Sequence, residues 1–397
     1  MKVSQRAQQV PPSATIAVTA RAQQLKAQGV DIVGFGAGAP DFDTPDYIKD
    51  AAVEALKAGK TKYTAAAGIP ELRAAIAEKF RKENGLDYTP DQIIVTIGGK
   101  HAVYEAMQAV LDPGDEVILP APYWVTYPEA VKLAGATARI IHTDKTTSYK
   151  ITPAQLANAI TDKTAVFLLN SPNNPGGFTY SPQELKELAK ILEGTNVIVL
   201  SDEIYEKLIY GETKFVSFAA LSKDAYERTI VLNGLSKTFS MTGWRIGYAA
   251  GPTDVIKAMG RLQSHMTSNT VTFGQYAAIA ALTNPAAEEA VEMMRAEFER
   301  RGNYMAQRLN AIDGISCPQP TGAFYCFPDV SKHYGRNING AQINGSTDFA
   351  KALLEQANVA LVPGLPFGCD PNVRLSFACS LEQIEKGLDR LEKWLSE

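Results

Sequence analysis

Residues that bind metals or form disulfides are scarce in this 397-residue chain. Its four cysteines, Cys317, Cys326, Cys369 and Cys379, all fall in the last quarter, and none belongs to a CxxC pair. That spacing indicates neither a zinc site nor a disulfide framework, and a reducing, cytoplasmic setting is the expectation. The four histidines are scattered, with no ligand spacing to one another or to a cysteine, so no metal is expected. Charge of one sign is also missing. The net charge is −4 and no basic cluster occurs, which argues against nucleic acid or a membrane surface as partner. No apolar run approaches the length that spans a bilayer, and the first residues lack the apolar core of a signal peptide. Internal repeats and low-complexity tracts are absent as well.

What is present is an ordinary globular balance, 45% hydrophobic and 21% charged, in a chain long enough for roughly two or three domains. Residues 1–14 are polar, include Pro11 and Pro12, and read as an arm. Short all-apolar runs then alternate with helical patterns. Strands are expected at 30–35, 93–97, 116–119, 138–142, 165–169, 197–200, 229–232 and 246–250. Helices are expected at 15–28, 45–57, 70–84 and 100–111, and again after Ser181, where Pro182 and Glu184 complete a capping box. Such alternation predicts an α/β fold with a mainly parallel sheet covered by helices on both faces. Beyond Pro252 the pattern turns helical, with a long amphipathic stretch at 286–312. Short strands at 323–327, 359–362 and 373–377 then precede a last helix capped by Ser380.

In sheets of this kind ligands bind beyond the carboxyl ends of the strands. Gly98 and Gly99, the segment Pro122 to Trp124, Asn173 and Asn174, Asp202 to Tyr205, and Ser236 with Lys237 each follow an apolar run, so they are expected at one edge. The stretch 233–252 carries only two charges, Lys237 and Arg245, among small and hydroxyl residues. Taken alone it reads equally well as a surface loop. At a sheet edge a desolvated lysine has a lowered pKa and becomes a usable nucleophile or Schiff-base former.

Five ordered motifs together resemble the class I aminotransferases of pyridoxal-phosphate fold type I. They are Ser236-Lys237, Met241 to Tyr248 with Arg245 inside it, Asn170 to Pro175, Asp202 to Tyr205, and Gly322 to Tyr325. The likeness runs nearly the whole chain, from Pro12 through Tyr63 to Arg374, and is nearest to the bacterial and plant aspartate aminotransferase branch. It implies a large cofactor domain at 44–285 and a smaller α/β domain that joins the arm and segment 1–43 to 286–397.

The resemblance also implies roles. Lys237 holds the aldehyde of pyridoxal 5′-phosphate (PLP) and moves the proton. Asp202 keeps the pyridine nitrogen protonated, so that the ring accepts electrons. Tyr205 and Asn174 reach its phenolic oxygen, and Trp124 stacks on the ring. Ser236, Arg245, the backbone at Gly99 and Lys100, and Tyr63 from a second subunit hold the phosphate, which makes the active unit a homodimer. Arg374 and Gly38 take the substrate's α-carboxylate, Trp124 and Asn174 border the substrate, and Lys100 meets a distal carboxylate. The reaction expected is transfer of the amino group of aspartate to 2-oxoglutarate. The alternatives are an aromatic, alanine or prephenate aminotransferase, a PLP-dependent lyase, or a non-catalytic PLP-binding module. Two positions depart from the family pattern: Gly176 stands where threonine is usual, and Pro11 where prephenate-using members carry a basic residue.

Overall fold

The computed structural model describes all 397 residues. Seven strands form its main sheet: β1 (Ile93–Ile97), β2 (Glu116–Ala121), β3 (Thr137–His142), β4 (Thr164–Asn170), β5 (Ile198–Asp202), β6 (Thr229–Gly234) and β7 (Ile246–Ala250). Their spatial order is β1-β7-β6-β5-β4-β2-β3. β4, β5 and β6 each carry an apolar run because helices cover both faces, and most of their residues are buried.

The sheet is mainly parallel, as the alternation predicts, with one reversal. β7 runs antiparallel to both its neighbours, β1 and β6. It returns directly from the loop after β6, so the start of β7 lies at the same edge as the ends of the other strands. That reversal brings Arg245, the residue before β7, to the edge where Lys237 emerges.

Helix boundaries follow local chemistry. Ser181 accepts the Glu184 N–H at 3.2 Å while Glu184 Oε2 accepts the Ser181 N–H at 2.7 Å, with Pro182 at the first helical position. A cap of this kind stabilises a helix by about 1 kcal/mol. The stripe Leu185, Leu188 and Leu192 is buried against the sheet. Segment 70–84 is an α-helix only through Lys79 and closes with a wider turn at Phe80–Asn84, ended by Gly85 at φ 67°.

Outside the main sheet three expected strands come out shorter. Segment 30–35 pairs only at Val33–Gly34, in parallel with Val359–Ala360. Segment 359–362 divides between two sheets, since Val362–Pro363 pairs instead with Val373–Ser376. Segment 323–327 pairs only at Tyr325–Cys326, and Ala323, with φ 56° in the left-handed region, lies outside the strand. These pieces share a 35-residue apolar core in which Val33 and Phe35 pack with Met294, Phe298, Phe349, Leu388 and Trp394. Tyr205, Leu208 and Tyr210 also belong to that core, so the segment after β5 touches both halves of the molecule. No helix is long and apolar enough to cross a membrane.

The glycine in place of the family's threonine has a local reason. A Cβ on Gly176 would run into the Phe178 ring and lie 2.9 Å from Asn173 Oδ1. Phe178 fills that space and packs beside Tyr149, Phe327 and Phe367. The next residue, Gly177, has φ 66°, and its carbonyl accepts the N–H groups of Thr321 at 2.7 Å and Gly322 at 3.0 Å. The turn thereby docks onto the segment that carries Tyr325.

Candidate active site

The carboxyl edge of the sheet and the segment before Phe42 enclose a cleft of about 410 Å³. Gly38, Gly99, Lys100, Trp124, Asn174, Asp202, Tyr205, Ser236, Lys237, Arg245 and Arg374 all line it. Tyr63 does not. It stands 90% exposed on a loop whose neighbours are tied down by Thr64 N–H to Asn269 at 3.2 Å and Thr272 to the Lys62 carbonyl at 2.7 Å.

Lys237 is partly open to the cleft, and its amine donates to the Gly38 carbonyl and lies 5.7 Å from the centre of the Phe324 ring. Desolvation, then the charges of Arg374 and Arg245, lower its pKa to about 7; Asp202 pulls the other way. Asp202, at the end of β5, is buried and accepts the Tyr127 hydroxyl at 2.7 Å and the Ile204 N–H at 3.2 Å. Burial raises its carboxyl to about 6 against those two hydrogen bonds.

Arg374 is only 2% exposed. Its Nη1 donates to Asn174 Oδ1 and its Nη2 to the Gly36 carbonyl, both at 2.9 Å, while Nε has no partner. The Tyr325 ring lies 4.5 Å from its guanidinium, and the Tyr325 hydroxyl meets that of Tyr205 at 2.9 Å. Burial works against the Arg374 charge, opposed by the two tyrosines. Asn174 is therefore engaged by Arg374.

Arg245 adopts φ 57° and points its guanidinium at the Ile97–Gly98 turn, bonding Thr242 O at 2.8 Å and Ile97 O at 3.4 Å. Gly98, at φ 78°, leaves no room for a Cβ against that guanidinium. Ser236 is buried on the cleft wall. Lys100 opens the helix Gly99–Val110 and sets its ammonium 5.0 Å from the Trp124 ring centre. It keeps much of its surface open, into the cleft, and burial there with the charge of Arg245 lowers its pKa.

Two groups of cleft residues, and one acid behind the cleft, carried no sequence signal strong enough to single them out. Tyr127 sits three residues beyond Trp124, packs edge-on to it at 5.4 Å and anchors Asp202. Thr15, Ile16, Thr19 and Gln23 come from the helix Ala14–Ala27, whose almost unsegregated sequence hides which face is inward. Glu206 accepts Asn233 Nδ2 at 2.8 Å and pairs with buried Lys79, bracing the exit of β6 from behind.

The model of the family described as aminotransferase class I and II matches residues 30–391. The chain belongs to that aminotransferase family. This aminotransferase is 49% identical over 395 residues to the aspartate aminotransferase of Geobacillus stearothermophilus, covering 100% of this chain and 99% of that one. It is 49% identical over 385 residues to the aspartate/prephenate aminotransferase of Cereibacter sphaeroides, at 96% coverage of both. The solved aspartate aminotransferase from Thermus thermophilus with maleate superposes with a TM-score of 0.94 at 45% identity, covering 99% of this chain and 100% of that chain. The aminotransferase thus shares its fold with solved members of the family.

Proposed function

We propose that this aminotransferase moves the amino group of L-aspartate to 2-oxoglutarate, giving oxaloacetate and L-glutamate, with PLP as cofactor. The observation that carries the reading is charge. Four cations line the cleft, Lys100, Lys237, Arg245 and Arg374, against one acid, Asp202. None of the four has a carboxylate within 4.0 Å. Uncompensated charge in a partly buried site calls for anionic ligands. A phosphate and two carboxylates supply it. The unpartnered Nε of buried Arg374 and the close fit of Arg245 against Gly98 point the same way.

The residues fit PLP. Ser236, Arg245 and the backbone at Gly99 and Lys100 would hold its phosphate, Asp202 its ring nitrogen, Tyr205 and Asn174 its phenolic oxygen, Trp124 a face, and Lys237 its aldehyde. Bound PLP supplies a carbonyl that joins an amine and a ring that accepts an electron pair from the adjoining carbon. The chain does the rest. Arg374 grips the substrate's α-carboxylate with a planar fork, beside Gly38. Lys100 faces the distal carboxylate. Lys237 Nζ, carried near neutrality, takes the proton from the substrate Cα and later returns a proton. Asp202, steadied by Tyr127, keeps a nitrogen protonated. The core shared by 33–35 and the C-terminal part supports a small domain built from 1–43 and 286–397 that closes on 44–285 and excludes water. Exposed Tyr63 fits a homodimer in which it reaches the phosphate of the other subunit. Four free thiols fit a cytoplasmic setting.

An amino-donor screen with 2-oxoglutarate tests the reading, and aspartate is expected to lead. Lys100→Ala is expected to cut kcat/KM for aspartate by roughly 10- to 100-fold, the loss of one charged hydrogen bond, and to leave phenylalanine nearly unchanged. Equal losses for both donors would remove Lys100 from the distal end. A relative that takes prephenate raises that acceptor as a second reading. Pro11 supplies no cation to pair with Lys100, so prephenate is expected to turn over far more slowly than oxaloacetate; comparable rates would reject this.

A further inference from the structure

The helix that opens with Gly99 and Lys100 carries, on its next turns, His101 and Glu105. Glu105 is fully buried, and neither carboxylate oxygen has a formed hydrogen bond. Burial raises its carboxyl to about 8. The polar atom facing it is His101 Nε2, 3.2 Å from Glu105 Oε1 and itself without another partner. The other ring nitrogen, Nδ1, accepts the backbone N–H of Ile97 at 3.3 Å.

These contacts fix the tautomer. A nitrogen that accepts an N–H carries no proton, so the neutral imidazole bears its hydrogen on Nε2, the ring nitrogen 3.2 Å from Glu105 Oε1. With Nε2 as acceptor instead, Nδ1–H would oppose the Ile97 N–H and both would be left unbonded inside the protein, which is unfavourable. Ile97 ends an edge strand, β1, which has β7 as its single neighbour. Its N–H therefore turns to the imidazole. Its carbonyl accepts Arg245 Nη2 at 3.4 Å, and the His101 N–H closes the turn on the Gly98 carbonyl at 3.0 Å.

We propose that His101 and Glu105 are positioning residues for the phosphate end of the cofactor site: Glu105, 3.2 Å from the Nε2 side of the ring, keeps Nδ1 turned to Ile97, which fixes the turn through Gly98, Gly99 and Lys100. This rests on the reading of that turn, with Ser236 and Arg245, as the phosphate cradle. Neither residue lines the cleft. It acts through the Ile97 N–H and the orientation of the Gly99 and Lys100 backbone.

The test titrates apoenzyme with PLP and with pyridoxal, which lacks the phosphate. His101→Met keeps the length of the side chain and removes both hydrogen-bonding roles. It is expected to weaken PLP by roughly tenfold, the loss of about one hydrogen bond, and to leave pyridoxal within twofold. His101→Gln, whose amide can accept from Ile97 and donate to Glu105, is expected to recover most of the PLP preference. Glu105→Leu, read by the same ratio, reports on the pair should the methionine variant fail to fold, and is expected to lose PLP preference too. Equal weakening of both ligands, or no recovery with glutamine, overturns the proposal. Ser236→Ala is measured alongside: if it keeps the full preference for PLP over pyridoxal, the cradle reading itself fails and the proposal with it, whereas loss in Ser236→Ala without loss in His101→Met or Glu105→Leu overturns the proposal alone.

Discussion

Lys237→Ala is expected to lose at least about four orders of magnitude in kcat, the upper range of what one positioned acid–base group contributes, while the protein keeps its fold. Lys237 is partly open at the cleft, and one hydrogen bond, to the Gly38 carbonyl, holds its amine, so truncation leaves little unpaired. What disappears is the amine. Burial and two guanidinium groups hold its pKa at about 7, against 10.5 for an ordinary lysine, so an appreciable fraction is unprotonated at neutral pH. The sign gives a second measurement. A lowered pKa means that the free amine accumulates as pH rises through 7, so attachment of PLP to apoenzyme should accelerate between about pH 6 and pH 8 and then level off. Borohydride should fix the cofactor to the wild-type chain at Lys237 and not to the alanine variant. Cofactor still fixed covalently to Lys237→Ala protein would place the reacting amine elsewhere and remove the basis of the assigned chemistry.

The sequence makes Lys237 readable because its neighbours constrain it. Apolar runs before and after it read as buried strands, and the other apolar runs that end in polar residues place a lysine between two such strands at a sheet edge. The same logic placed Asp202 at the end of β5 and Asn174 after β4. It held because fully buried strands announce themselves by composition alone. Where the signal depends on partners distant in sequence, it fails. Residues 359–362 look like one strand, yet consecutive pairs serve different sheets, since Val359 and Ala360 meet Val33 and Gly34 while Val362 and Pro363 meet Arg374 and Val373. Nothing local records that division. Tyr127 is legible as an aromatic on a helix, but its bond to Asp202 joins residues 75 positions apart. Reversal of β7 is equally silent, since an apolar run carries no direction. The role proposed for Tyr63 requires a second subunit, and in the single chain its side chain stands exposed.

Arg374→Ala is expected to lower kcat/KM for every amino donor by roughly 30-fold to several thousand-fold, the range for truncating one partner of a buried, hydrogen-bonded charge pair at about 2–5 kcal/mol. The breadth of the effect is the point. Every amino-acid substrate has an α-carboxylate, whereas only acidic ones have a second. Lys100→Ala and Arg374→Ala therefore separate the two ends of the substrate: the first should change the ranking of donors, the second should lower them together. Arg374→Lys sharpens the assignment. Lysine keeps the charge but loses the fork that bonds Asn174 through Nη1 and Gly36 through Nη2 while Nε stays available. A point charge cannot hold two protein oxygens and a carboxylate in one plane. The lysine variant should thus recover only part of the loss, with KM staying high. Full recovery would mean that charge alone matters at this end. A selective loss for aspartate in Arg374→Ala, with phenylalanine spared, would assign Arg374 to the distal carboxylate and reverse the orientation proposed for the substrate in the cleft.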